Sequence, residues 1–258
     1  MSNPKDYYNA RKKRFLREFD LVARSGRSVI ESYFGSENAS ALVAETRREF
    51  ECLIPQLPYI GGKQPFTEFI VFTGMLLAVY CVSKAHGRTV EQTGELVYEI
   101  GRAVIKSSPM FLLRLFTPLN FSRRSLDRLR KRASESHERQ YPDDYVYDFI
   151  AGDGRTFDYG VDYLECASCK FLAKQDAPEL APYLCPVDIL YSEALGWGLT
   201  RTMTLAEGAD RCDFRFKKGG ATKVAVPAAM QRVVSRAVNE SKQGSFHLAP
   251  STNFPPQS

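Results

Sequence analysis

The sequence predicts an α+β fold in which an N-terminal helical bundle packs on a C-terminal antiparallel sheet with short helices. Before residue 140, apolar residues recur at three-, four- and seven-residue steps, as on the buried face of amphipathic helices. After Pro142 the apolar residues alternate with polar ones, and glycine-containing turns separate the alternating runs. We expect a helical part at 1–140, an α+β part at 141–220, and a helix with a disordered tail at 221–258.

The composition is that of a folded soluble protein. The chain has 258 residues, of which 44% are hydrophobic and 25% charged, so it can bury a sizeable core. The net charge of +5 comes mainly from residues 10–17 and 123–139, which lack the interleaved aromatic face typical of nucleic-acid binding. The N-terminus has no apolar signal-peptide core, so we expect a cytoplasmic protein. In that compartment the six cysteines are free thiols or metal ligands rather than disulfides.

Helical periodicity and its breaks divide the N-terminal part. Residues 6–33 predict one or two amphipathic helices separated at Gly26, and residues 41–54 predict another that ends before Pro55. Residues 67–84 are the most apolar segment of the chain. This segment falls short of the roughly 18 to 20 apolar residues that cross a bilayer, so we predict a buried central helix and no transmembrane segment.

A second helix follows the central one. Gly87 occupies the position of a helix C-cap, and residues 90–105 resume the apolar stripe, so the two helices form a hairpin. The apolar run 110–116 and the basic helix 123–139 could rest on an anionic membrane surface. Alternatively, the basic helix is solvated and caps the bundle. The sequence leaves this choice open.

The second half alternates short strands and short helices. A glycine-containing turn joins the first two strands, and Glu207 to Asp210 turn the chain between the last two. In the third strand we expect Arg201 on the face opposite to the threonines around it. The predicted elements are strands at 145–150, 157–164, 199–205 and 212–217, helices at 167–174, 187–195 and 227–238, and a loop at 178–185.

Four of the six cysteines lie between residues 160 and 216, together with several carboxylates and an arginine. Cys166 and Cys169 have the two-residue gap of a zinc-ligand pair, but 26 residues separate Cys185 from Cys212 and no histidine lies near them. We therefore expect no cofactor, with zinc as the alternative. The motifs of serine hydrolases, P-loop NTPases, dinucleotide enzymes and zincins are missing from the sequence.

A thiol nucleophile is another interpretation of these cysteines. A free cysteine has a pKa near 8.5, and lowering it to about 6.5 requires roughly 2.7 kcal/mol. Cys185 precedes the helix predicted from Val187, whose N-terminal N–H groups favour an anion, and Arg201 is the nearest cation in sequence terms. Asp188, one helical turn from Cys185, is a candidate general base. The alternative is that these thiols simply pack under the sheet.

Several short runs resemble the L-2-amino-thiazoline-4-carboxylic acid hydrolase family over roughly residues 40–217. The ending Cys-Asp-Phe-Arg-Phe after a Gly-x-Asp turn is the most specific part, and it resembles more weakly the 4-vinyl-reductase-like small-molecule-binding domains. The helical hairpin fits the same hydrolase family. The matching runs are 147–149, 157–163, 165–166, 184–188 and 207–216.

The resemblance implies hydrolysis of a cyclic amidine, in which water opens the thiazoline ring at the carbon between nitrogen and sulfur and yields N-carbamoyl-L-cysteine. As a hypothesis, Cys185 attacks this carbon or orders a water on it, Asp188 handles the proton, and Arg201 holds the substrate carboxylate. The expected catalytic residues are Cys185, Asp188, Cys166 and Cys212, and the expected substrate-binding residues are Arg201, Asp213 and Tyr163.

Two functions follow from these observations. The first is a cofactor-independent hydrolase of a small cyclic amidine or a related C–N bond. The second is a non-catalytic ligand-binding or sensor domain whose cysteines are structural or hold zinc. Both predict a small-molecule partner and neither involves nucleic acid. A homo-oligomer is compatible with either function.

Overall fold

A computed structural model describes residues 4–62, 66–107 and 114–243, and it has the expected α+β architecture, with a helical region followed by a sheet. The predicted break at Gly26 is confirmed, because this residue ends one helix and begins the next. The helices before the sheet are α1 (Pro4–Asn9), α2 (Lys12–Ser25), α3 (Arg27–Phe34), α4 (Ser36–Leu53), α5 (Phe66–Ala85), α6 (Val90–Ser107), α7 (Thr117–Asn120) and α8 (Arg123–Ser136).

Helix α5 is a central helix, as its apolar sequence predicts. It packs against α4 and α6, and most of its residues are buried. The expectation that this segment is too short to cross a membrane is wrong, because α5 has 20 residues and is long and apolar enough by length and composition. However, 67% of its most apolar window is buried inside the protein, as in the core helix of a soluble protein. After α5, Gly87 has a φ of +72°, which suits a glycine at the end of a helix.

The basic helix α8 packs on the first strand of the sheet and buries Ala133 there. Its N-cap is Ser122, whose hydroxyl accepts a hydrogen bond from the Ser125 amide at 3.4 Å. Most of its basic side chains remain exposed. Residues 110–113 of the preceding apolar run lie outside the described part of the chain, so the membrane interpretation stays a prediction.

The sheet has five strands in the order β1-β2-β4-β3-β5. The antiparallel pairs β1–β2, β2–β4 and β3–β4 are as predicted. The parallel pairing of β3 with β5 makes the sheet mixed rather than purely antiparallel. Strand β5 has two residues, too few to produce an alternating pattern. The strands are β1 (Val146–Ala151), β2 (Tyr159–Glu165), β3 (Leu199–Arg201), β4 (Cys212–Phe216) and β5 (Lys223–Val224).

Strand β3 is shorter than predicted. It ends at Arg201, because Thr204 starts a 3₁₀ turn over Leu205–Glu207 by accepting a hydrogen bond from the Glu207 amide at 3.2 Å. The remaining helices are α9 (Ala167–Lys174), α10 (Ala181–Leu184), α11 (Val187–Leu195) and α12 (Gln231–Gln243).

The predicted loop at 178–185 is wrong. This segment forms a 3₁₀ turn at Pro178–Leu180 and then α10, and it buries Leu180 and Ala181. Burial of these side chains favours local helical hydrogen bonding over an open loop. Helix α12 extends the predicted helix at 227–238, and the expected disordered tail lies outside the described residues.

The largest core cluster joins the two halves of the molecule. Leu76 and Leu77 of α5 pack with Phe171 and Leu172 of α9 and with Val161 on the inner face of the sheet. Of the predicted site residues, all but Asp213 lie along this interface between helices and sheet.

Candidate functional site

Four segments meet on the inner face of the sheet. Alternation along β4 turns Cys212 and Phe214 toward the helices, and β3 contributes Arg201. The α10–α11 segment carries Cys185 and Asp188, and the junction between β2 and α9 carries Cys166. Residues far apart in the sequence therefore converge at one place, which we call the polar cluster: Cys166, Cys185, Asp188, Arg201 and Cys212.

A buried ion pair lies at the centre of the polar cluster. Arg201 Nη1 donates to Asp188 Oδ2 at 2.6 Å, and the Arg201 side chain is only 1% exposed. Both Arg201 Nη atoms lie 3.4 Å from the Cys185 carbonyl oxygen, which makes those contacts weak. The guanidinium sits 5.2 Å from the ring centroid of Phe214. Its Nε is buried and finds no hydrogen-bond partner among the described residues.

Asp188 has the electrostatics of a base that works near neutral pH. Burial raises its pKa to about 6, although the charge of Arg201 and the hydrogen bond from it oppose this rise. Yet 22% of the Asp188 side chain remains exposed. Most of this carboxylate is therefore enclosed by protein, and solvent still reaches part of it. A water molecule can contact that part.

The three thiols of the polar cluster influence one another electrostatically. Burial raises the pKa of Cys185, and Cys166, Cys212 and Asp188 raise it further, against the opposing charge of Arg201. Burial also raises the pKa of Cys212 to about 11, although its sulfur accepts a hydrogen bond from the Leu205 amide at 3.2 Å. These couplings indicate that the thiols lie near one another. Because each pKa is raised above that of an ordinary thiol, the protonated form is favoured at neutral pH.

Cys166 forms its own pair within the polar cluster. A side-chain hydrogen bond with Cys169 is the main cause that raises the Cys166 pKa, and burial adds to it. All six cysteines fall within the described ranges and are free thiols. Among the described residues, no three His, Cys, Asp or Glu side chains are arranged to hold a metal ion.

The local environment of Cys185 differs from the predicted one. Helix α10 runs directly into it, so Cys185 has helical backbone angles and does not face a free helix N-terminus. Its thiol donates to the Ala181 carbonyl at 3.7 Å, one turn earlier. Its carbonyl accepts from the Asp188 amide at 3.2 Å, so that N–H group is not available to a thiolate. The expected stabilisation of a Cys185 thiolate by helix N–H groups is absent among these described residues.

The structure brings Tyr163 to the polar cluster but not Asp213. Burial raises the pKa of Tyr163 well above its ordinary value, and Asp188 is among the charges that add to this rise. Asp213 follows Cys212 on β4 and points to the opposite face of the sheet. There it accepts hydrogen bonds from the Thr202 amide at 2.8 Å, the Thr202 hydroxyl at 2.6 Å and the Met203 amide at 2.9 Å. These bonds fix the chain after β3.

A hydroxyl network beside the polar cluster was not predicted. The Ser168 hydroxyl lies 2.8 Å from that of Thr73 and 3.0 Å from that of Tyr145. It thereby ties α9 to α5 and to the start of β1. Thr73 is a polar residue in the most apolar helix, and this feature of the sequence could have identified it as part of the network. Ser168 carries no comparable signal in the sequence.

The fold and the polar cluster define an α+β protein with a carboxylate–guanidinium pair and three thiols of raised pKa between helices and sheet. Residues 70–216, more than half of the chain, match the L-2-amino-thiazoline-4-carboxylic acid hydrolase family, and the protein belongs to this family. The match runs from α5 to β4 and contains the whole polar cluster. Searches of curated proteins and of solved structures found no significant match.

Proposed function

We propose that this protein hydrolyses a small cyclic amidine similar to 2-amino-thiazoline-4-carboxylate and opens its ring to an N-carbamoyl product. The family is named for a hydrolase of that compound. The observation that carries the proposal is the Asp188 carboxylate, whose pKa is raised to about 6 and which remains partly exposed to solvent. A base with such a pKa is largely ionised at neutral pH and still accepts protons.

In the proposed reaction, Asp188 removes a proton from a water molecule that attacks the ring carbon between nitrogen and sulfur. A C–O bond forms as the ring C=N double bond becomes a single bond, and the ring nitrogen takes the second proton of the water. The C–S bond then breaks, and the sulfur leaves with the proton that Asp188 returns. The former ring carbon becomes the carbonyl of the N-carbamoyl group, and the sulfur becomes a thiol. Atoms and protons balance with water as the co-substrate, so the proposal invokes no cofactor.

Arg201 is proposed to bind the substrate carboxylate. Its Nη1 is held by Asp188, whereas Nε has no partner among the described residues and Nη2 makes a long contact of 3.4 Å. The Nε–Nη2 edge of the guanidinium therefore presents two parallel donors, the geometry that a carboxylate accepts in bidentate fashion. Such binding would place the substrate beside Asp188 through a shared arginine.

We propose that the thiols form part of the wall of the substrate-binding site and do not attack the substrate. A raised pKa leaves the thiolate form of Cys185 scarce at neutral pH, and only the thiolate is a good nucleophile. Of the two hypotheses for Cys185, ordering a water is therefore favoured over direct attack. Cys166, Cys212 and Tyr163 would complete the walls around the bound ring.

The test is turnover of 2-amino-thiazoline-4-carboxylate by the purified protein, with the N-carbamoyl product identified by mass spectrometry. We expect product formation by the natural sequence and a loss of about 10²- to 10⁴-fold in kcat/KM for Asp188→Asn. The matched control is Asp148→Asn, since Asp148 is a half-exposed aspartate on β1 that pairs with His137. This control should keep full activity.

Circular dichroism and thermal unfolding of both variants would verify that they are folded. Unchanged turnover in a folded Asp188→Asn variant would contradict the assigned base. Saturable binding of the thiazoline without any product would instead favour the ligand-binding alternative over the hydrolase.

A further inference from the structure

The helical bundle contains an apolar cavity of about 150 Å³ that is separate from the polar cluster. Side chains from α2, α3, α4, α5, α6 and α11 form its wall. Among the described wall residues, hydroxyl groups occur on Thr46, Ser83 and Tyr191 alone. The Thr46 hydroxyl already donates to the Leu42 carbonyl at 2.8 Å. Apolar cavities of this size remain dry and bind apolar molecules, because water finds too few partners in them.

The residues that line the cavity are spread along α5 and α6. On α5 the wall includes Phe72 at one end and Ser83 at the other, which are about 16 Å apart along the helix axis. On α6 the wall runs from Leu96 to Ile105, a rise of about 14 Å. A cavity with parallel apolar walls of this length fits a linear molecule better than a compact ring.

We infer that this cavity is a binding site for the unbranched alkyl chain of an apolar small molecule. Burial of apolar surface is the available source of affinity, since the wall offers no charged group among the described residues. The thiazoline carboxylate of the proposed reaction is small and charged, so it does not suit this site. The inference is therefore independent of the proposed function.

Helix α11 links the cavity to the polar cluster. Val187, Leu190 and Tyr191 line the cavity, while Asp188 lies on the flank of the same helix and pairs with Arg201. Tyr191 follows Asp188 by three residues, and Asp188 contributes to raising its pKa, after burial. An alkyl chain in the cavity would thus contact the helix that positions the proposed base.

The test is a fluorescence titration of the full chain with 1-aminoanthracene, followed by displacement with dodecanol. We expect saturable binding and displacement by dodecanol. Filling the cavity with Ala23→Leu from α2, or independently with Val79→Leu from α5, should weaken dodecanol binding by about tenfold or more. The matched control is Ala173→Leu, because Ala173 is exposed on α9. Its affinity should not change.

Thermal unfolding would confirm that each variant is folded, and dodecanol should raise the midpoint of the natural sequence by mass action. Displacement by free dodecanol but not by phosphatidylcholine vesicles would identify a free alkyl compound as the ligand, whereas displacement by both would indicate a lipid source. Equal dodecanol affinity in the natural sequence and in both filled variants would overturn the inference. So would the absence of any displacement.

Discussion

Two aspartates near the β3–β4 hairpin show that the pKa of the same type of side chain differs between the two faces of one sheet. Asp188 reaches Arg201 on the inner face, where burial raises its pKa to about 6. Asp213 lies on the outer face, where burial also acts on it but hydrogen bonds from Thr202 and Met203 outweigh burial and lower its pKa. The inner carboxylate can exchange a proton near neutral pH, and the outer one stays ionised and holds the backbone.

The difference lies in the number of donors around each carboxylate. Asp213 accepts two backbone N–H groups and a hydroxyl, and each of these favours its charged form. Asp188 has one strong donor, Arg201, in surroundings that disfavour charge. We expect a functional role for a carboxylate whose charge is incompletely stabilised, and a structural role for one whose charge is fully stabilised.

The largest expected effect comes from Arg201→Met. Removing the guanidinium leaves the Asp188 carboxylate enclosed without its partner, and breaking a buried pair costs about 3 to 5 kcal/mol of unfolding free energy. The matched control is Arg215→Met on the outer face, where Arg215 contacts Asp162 at the same 2.6 Å distance but is 24% exposed. Its cost should be smaller, because Asp162 keeps Arg211 at 3.5 Å as a second charged partner. Urea denaturation would measure the free energy of unfolding of both variants. Equal decreases in the two variants would refute the contrast between the two faces.

The second effect is expected for Asp213→Ala. Its removal leaves the Thr202 and Met203 amides without their acceptor, and each unsatisfied group costs about 1 to 3 kcal/mol if it remains buried. Solvent reaches this face, so we expect the total to lie near the lower end of that range. Activity per folded molecule should persist. Thermal unfolding together with turnover would check this, and a stable but inactive variant would return Asp213 to the substrate-binding set.

A smaller effect is expected from pH. Because the proposed base must be deprotonated, and because its pKa is raised to about 6, kcat/KM should be constant above neutral pH. It should fall about tenfold per pH unit below pH 6. A pH–rate profile of the natural sequence would show the midpoint. A profile centred near pH 4 would mean that Asp188 is an ordinary exposed carboxylate.

The smallest effect is expected for Cys185→Ser. If its protonated thiol only orders a water, a hydroxyl can replace it and turnover should change by less than about tenfold. Cys52, which is exposed, should react with a thiol reagent before any thiol of the polar cluster. Total loss of turnover in folded Cys185→Ser, with activity retained in Asp188→Asn, would restore the nucleophile hypothesis.

Local sequence patterns were sufficient to predict much of the fold. The breaks at Gly26 and Gly87, the central helix and the helix at Val187–Leu195 were predictable because glycine conformation and helical periodicity act over a few residues. Alternation on β4 places Cys212 and Asp213 on opposite faces, and the assignment of both residues to one site overlooked this. Strand β5 and helix α10 were not predictable, since both are too short to produce a pattern and depend on contacts with distant segments.

The sequence by itself determined the α+β architecture, the family, and the residue types available for chemistry. Only the tertiary structure decided which of these residues meet, since Asp188 and Arg201 lie on different elements and Thr73 reaches Ser168 from another part of the chain. It also set the burial that raises the pKa values of the thiols and of Asp188, and this pattern supports Asp188 as the proposed base. The physical reason is that a pKa depends on burial and on neighbouring charges, which are set by packing rather than by position along the chain.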